Sequence, residues 1–167
     1  WRPFRCDCPR VLKLIVTAKG LRSNDEFAAA WQRGADQLLH TGTTTVADIV
    51  ALTEIQPQST PLRMFSFLEM TGVKSKQPPA QIVTAAAARI KSLRTTGRLA
   101  GFSPHAPYST TPELLRRTAQ IARRNRWRIT THVAESSEEL EMFSQARGKI
   151  YDWLKSQRDC SDCGHGS

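Results

Sequence analysis

Short β-branched or apolar runs alternate with capped helical patterns along most of this chain, joined by connections of a few residues. That alternation narrows the fold more than any other feature, because strands separated by a crossover helix come out parallel. Ser23-Asn24-Asp25-Glu26 reads as a capping box opening a helix to about His40, stopped by Gly42. Thr43 to Val50 is a short buried strand, and Leu62 to Met70 is a second apolar run ending near Glu69 and Gly72. After the Pro78-Pro79 break, Ile82, Val83, Ala86, Ile90 and Leu93 recur at helical period until Gly97. Leu99 to Ser103 is the third strand, and Thr110-Thr111-Pro112-Glu113 is a second capping box that starts the next helix. Trp127 to Thr131 is the fourth strand. Ser136-Ser137-Glu138-Glu139 then caps a last helix carrying Leu140, Phe143, Ile150 and Leu154.

The fold class is therefore α/β with a parallel sheet. Periodicity alone fits an open doubly wound sheet and part of a closed barrel equally well. No Gly-x-Gly-x-x-Gly or phosphate-loop pattern follows any strand, which counts against a nucleotide-binding sheet. Four strands are too few for an eight-stranded barrel, which takes about 250 residues. At 167 residues and 40% apolar content, the chain is long enough to bury a core as one domain. The pattern divides it into an N-terminal segment at 1–22, a patterned region at 23–157 and a polar tail at 158–167. It begins at Trp1, so it reads as a piece of something longer. No secretory signal and no membrane-length apolar run occur, and the expectation is a cytoplasmic protein without a membrane partner.

The balance of 24 basic and 15 acidic residues gives a formal charge of +9. Arg116, Arg117, Arg123 and Arg124 fall on one helix face, opposite Leu115, Thr118, Ala119 and Ala122, as a solvated outer face does. Aromatic residues do not interleave with the basic ones, so no specific nucleic-acid partner is expected. A non-catalytic α/β binding or scaffold domain, its basic helix face meeting an acidic partner, is the alternative function. The cysteines lie at the extremities, as Cys6 and Cys8 and as Cys160 and Cys163. Joined, they would make a four-thiolate zinc site, but the first pair is spaced more tightly than zinc clips use. Reduced thiols are the plainer expectation.

Two segments carry the candidate chemistry. Ser103-Pro104-His105-Ala106-Pro107-Tyr108 and Thr131-His132-Val133-Ala134-Glu135-Ser136 each follow a strand and precede a helical pattern. In barrel enzymes, that is where the active site sits. Singly, His132 fits a core histidine, Glu135 an acidic residue in a first helical turn and His105 a turn brace. Asp48 and Glu69 also end strands, where structural or solvent-facing carboxylates are commoner than functional ones.

Together with Gly42-Thr43-Thr44-Thr45-Val46-Ala47-Asp48, the two segments resemble successive strand ends of the amidohydrolase superfamily, in its branch of chlorohydrolases and nucleobase or adenosyl-compound deaminases. The resemblance spans roughly Ser23 to Leu154. It implies a partial (β/α)8 TIM barrel, about strands 2 to 5 with their helices. It implies that His132 is a ligand to one divalent metal, zinc or else iron, whose bound water ionises near pH 7. Glu135 would be the catalytic carboxylate, moving the proton from that water to the leaving nitrogen. His105 would bind substrate and polarise the atom under attack. The implied reaction is hydrolysis of a non-peptide C–N bond in a small nitrogen-containing ring compound, C–Cl hydrolysis being the lesser alternative.

The chain departs from the family at three places. No His-x-His spacing occurs anywhere, and the sixth-strand histidine and eighth-strand aspartate are missing too. His165 follows no strand-like run, and Trp1 to Arg10 fit the pattern poorly. A catalytic zinc takes three protein ligands as a rule. The expectation is an internal segment of a metal-dependent hydrolase, inactive alone and prone to self-association through its open sheet edges.

Overall fold

In the computed structural model, which describes residues 14, 15, 17, 18, 20–50, 60–73 and 75–165, the chain forms two units. One is Asn24–Val133; the other joins Ala134–Ser167 with Trp1–Ser23. In the first, strands β1 (Thr45–Val50), β2 (Arg63–Met70) and β3 (Leu99–Pro104) pair in parallel in the order β1-β2-β3. The register sets Ile49 beside Phe67 and Phe67 beside Gly101. Helix α1 (Asn24–His40) precedes the sheet, α2 (Pro79–Thr95) joins β2 to β3, and α3 (Pro112–Asn125) follows β3.

Strand side chains alternate between the two faces of the sheet. Leu68, Met70, Ala100 and Phe102 point to one face and pack with Val83, Ala87, Ile90 and Leu93 of α2 and Leu114 and Ala122 of α3. Each of the Val, Leu, Ile, Met and Phe side chains among them contributes about 1.5–3 kcal/mol when fully buried. Phe65, Phe67 and Gly101 share the opposite face, where the two rings stack at 4.6 Å and both lie against Gly101. Ile49 and Ile129 remain 37% and 40% exposed.

Three local expectations shift by small amounts. Helix α3 is capped by Thr111, whose hydroxyl accepts the Leu114 N–H, whereas the Thr110 hydroxyl donates to the Ala106 carbonyl. Its Glu113 pairs with Arg117 at 2.7 Å instead of reaching back. The buried stripe of α3 is Leu114, Thr118 and Ala122, with Ala119 exposed, and the four arginines face solvent as their spacing requires.

The fourth strand is reduced to one bridge, Phe102 with Ile129. Phe102 donates to the Arg128 carbonyl and accepts from Thr130 N–H, both at 3.0 Å. The next ladder bond would need an N–H at Pro104, and proline has none. Regular pairing stops there. Gly101 is what allows this close approach, since a Cβ on it would lie 2.5 Å from the Arg128 carbonyl oxygen.

In the second unit, the expected single last helix is two, α4 (Ser137–Gln145) and α5 (Lys149–Leu154). The break passes through Ala146 at φ 51° and Gly148 at φ 97°. Met142, Ile150 and Leu154 are buried. Among the described residues, no helix is long and apolar enough to cross a membrane.

Candidate active site

His105 follows β3 directly and is tied on both sides. Its N–H donates to the Met70 carbonyl of β2 at 3.0 Å, continuing the β2–β3 ladder. Its carbonyl accepts the His132 N–H at 2.9 Å and the Thr131 hydroxyl at 3.3 Å. A regular ladder would bring His132 N–H to the Pro104 carbonyl; it goes one residue further. Two imidazoles that lie far apart in sequence thus meet just beyond the carboxyl end of β3, where the segment bridged to it at Ile129 runs alongside. Their ring centroids are 5.3 Å apart in an edge-to-face arrangement, and both residues are half-buried.

The turn after β3 fixes the His105 ring. His105 Nδ1 and Ser109 Oγ are 2.6 Å apart, and Ser109 Oγ also lies 3.2 Å from the Ala106 carbonyl, to which it can donate. Ser109 ends a short 3-10 turn, Pro107–Ser109, whose first residue supplies a fixed φ. With Nδ1 held by Ser109, Nε2 is the nitrogen that remains for a ligand. Tyr108 packs edge-on against the ring at 5.8 Å. Ser109 belongs to neither sequence motif; its only signal is its position four residues after His105.

Glu135 lies three residues after His132 and begins the approach to α4. It is exposed, and its N–H donates to Glu139 Oε2 at 2.8 Å. The residue before it, Ala134, has φ 56°, a left-handed conformation that non-glycine residues rarely adopt. Ser136 caps α4 by accepting the Glu139 N–H, as the sequence implies.

Asp48 has the structural role that was the commoner expectation. It is half-buried, and its Oδ2 accepts from Trp31 Nε1 at 3.1 Å, tying β1 to α1. Glu69 is half-buried near the carboxyl end of β2, in register with Ser103. Ser103 Oγ, at the start of the first candidate segment, is fully buried with no hydrogen-bond partner.

No group of three or more His, Cys, Asp or Glu residues able to hold a metal occurs among the described residues. His132 alone falls short of the three protein ligands a catalytic zinc takes. The side chains present therefore do not make a metal site by themselves. His165 Nε2 lies 2.8 Å from the Ser161 carbonyl. Cys6 and Cys8 lie outside the described residues. Cys160 and Cys163 are free thiols. Burial, with Asp162 and Cys160 adding, pushes the Cys163 thiol up to about 12, so it stays protonated at neutral pH.

Residues 11–164 match the profile of the amidohydrolase family. The chain is 30% identical over 145 residues to the aminodeoxyfutalosine deaminase of Deinococcus radiodurans, an overlap of 84% of this chain and 34% of that protein. It is 31% identical over 116 residues to the 5-methylthioadenosine/S-adenosylhomocysteine deaminase of Pelotomaculum thermopropionicum, covering 67% of this chain and 27% of that one. Among solved structures, it superposes on Helicobacter pylori aminofutalosine deaminase in complex with methylthio-coformycin, with a TM-score of 0.62 and 26% identity. That match covers 74% of this chain and 31% of the other. The chain spans about a third of the length of the relatives it matches.

Proposed function

Because the chain belongs to the amidohydrolase family, matching it over residues 11–164, we propose that it is a segment of a metal-dependent hydrolase that deaminates a small nitrogen-containing ring compound. The observation that carries this is the meeting of His105 and His132 just beyond the carboxyl end of β3, with Glu135 three residues further on. The segment is about strands 2 to 5 of a (β/α)8 barrel, with residues 23–157 as the barrel part. The names of its relatives suit a nucleoside-like substrate carrying an exocyclic amine.

The residues divide the work by chemistry. Hydrolytic deamination adds water to the ring carbon bearing the amine, then breaks the C–N bond and releases ammonia. The Glu135 carboxylate takes the proton from the attacking water and passes it to the departing nitrogen, a transfer worth about 10²–10⁴-fold in rate. His105, its ring held at Nδ1 by Ser109, leaves Nε2 for a contact with the substrate. His132 would be one ligand of a divalent metal, zinc or iron, which when bound would lower the pKa of the attacking water. The segment alone is inactive.

The test is made on the full-length protein. Glu135→Gln should retain metal while turnover of 5′-methylthioadenosine falls about 10²–10⁴-fold, and His132→Ala should lose metal. Near-normal turnover in the first variant removes Glu135 from the mechanism.

A further inference from the structure

We propose that Glu139 is a positioning residue that sets the backbone of Glu135, an inference that rests on Glu135 as the proton carrier. In an ordinary capping box, the glutamate at the third helical position reaches back to the N–H of the capping residue. Here the cap is Ser136, yet the Glu139 carboxylate bypasses it and accepts the N–H of Glu135 at 2.8 Å. The box is displaced by one residue, onto the residue assigned the chemistry.

Two further observations point the same way. Glu139 is only 2% exposed, and an ionisable carboxyl group is costly to remove from water. Helix capping does not require that burial, since the Ser136 hydroxyl already accepts the Glu139 N–H at 3.2 Å. The chain also enters Glu135 through Ala134 at φ 56° and leaves through Ser136 at φ −148°. A left-handed alanine persists only where its surroundings over-determine it, and the Glu139–Glu135 bond is one such restraint. With both flanking dihedrals set and the amide clamped, the Cα–Cβ direction of Glu135 is fixed. Proton transfer at a reacting atom depends on that kind of placement.

The experiment uses the full-length protein and reads two things, amide hydrogen exchange at Glu135 and the kinetics of 5′-methylthioadenosine turnover. Glu139→Ala should raise Glu135 exchange by at least about tenfold. It should lower kcat by about 10–100-fold with KM within about twofold. Glu139→Gln keeps an acceptor oxygen at the same reach and should restore most of both. If Glu139→Ala does not fold, Glu139→Asp, one methylene too short for the bond, should show the same paired losses. Protection lost with kcat intact, or protection retained in either shortened variant, overturns the proposal. Glu135→Gln is measured alongside: if it keeps full turnover, the proton-carrier reading has failed, and the positioning role fails with it whatever the exchange shows.

Discussion

The His132 amide donates to the His105 carbonyl at 2.9 Å, one residue beyond where a regular parallel ladder would place it. The offset follows from Pro104, which cannot donate to the Thr130 carbonyl, so the 127–132 segment is released from strict pairing just where its histidine arrives. The strand break coincides with the approach of the two histidines.

Replacing Pro104 by alanine restores the missing N–H and lets the ladder continue to Thr130. His132 should then shift back toward the position-104 carbonyl and away from its present place beside His105. In the full-length protein, kcat should fall about 10²-fold while the thermal midpoint holds or rises. Unchanged kcat would mean that the offset is irrelevant to the chemistry.

Gly101→Ala tests the approach that makes this possible. Its Cβ would meet the Arg128 carbonyl oxygen at 2.5 Å and the Phe67 and Phe65 rings at 3.1 and 3.2 Å. Backbone oxygen cannot swing aside as a flexible side chain does, so the cost should be about 1–3 kcal/mol in denaturant unfolding. A loss within measurement error would contradict the packing described.

Most of the architecture was legible from the chain. The α1, α2 and α3 patterns and the first three strands appear where apolar spacing and caps place them, but β1, expected to be buried, alternates exposed and half-buried residues with none fully buried. The fourth strand was over-read. Trp127 to Thr131 is apolar enough for a strand, but its partner residue Pro104 lies in another segment, and no local pattern reports a missing donor across a ladder. His105 and His132 were legible as strand-end residues. Ser109 and the displaced Glu139 bond were not, since a hydroxyl on an imidazole and a carboxylate that bypasses its cap are tertiary and backbone details.

Alkaline pH should weaken the Cys160–Cys163 turn. Burial first, then Asp162 and Cys160, raise the Cys163 thiol from 9.0 to about 12. A raised pKa means that the folded state holds the proton more tightly, so this contribution is intact below about pH 9 and is lost as pH climbs toward 12. The thermal midpoint should decline over that window, and Cys163→Ala should flatten the decline. A thiol reagent at pH 8 should label Cys160 well before Cys163; equal rates would contradict the assignment.

The 167-residue chain by itself should self-associate. Among the described residues, β1 has no strand on its outer side, and Ile49 and Ile129 stay 37% and 40% exposed. Unpaired parallel edges beside apolar surface recruit further chains. Light scattering should show concentration-dependent growth in mass, and a sharp monomer at all concentrations would refute it.

Proposed for the parent protein is hydrolysis of a C–N bond in which His105, His132 and Glu135 take the roles assigned above. The most direct measurement runs the full-length protein on 5′-methylthioadenosine and other aminated purine nucleosides in ¹⁸O-labelled water. One ammonia should be released per product, with the label at the ring carbon that carried the amine, and Glu135→Gln should lose both signals. Turnover without ammonia, or product carrying no label, would contradict it.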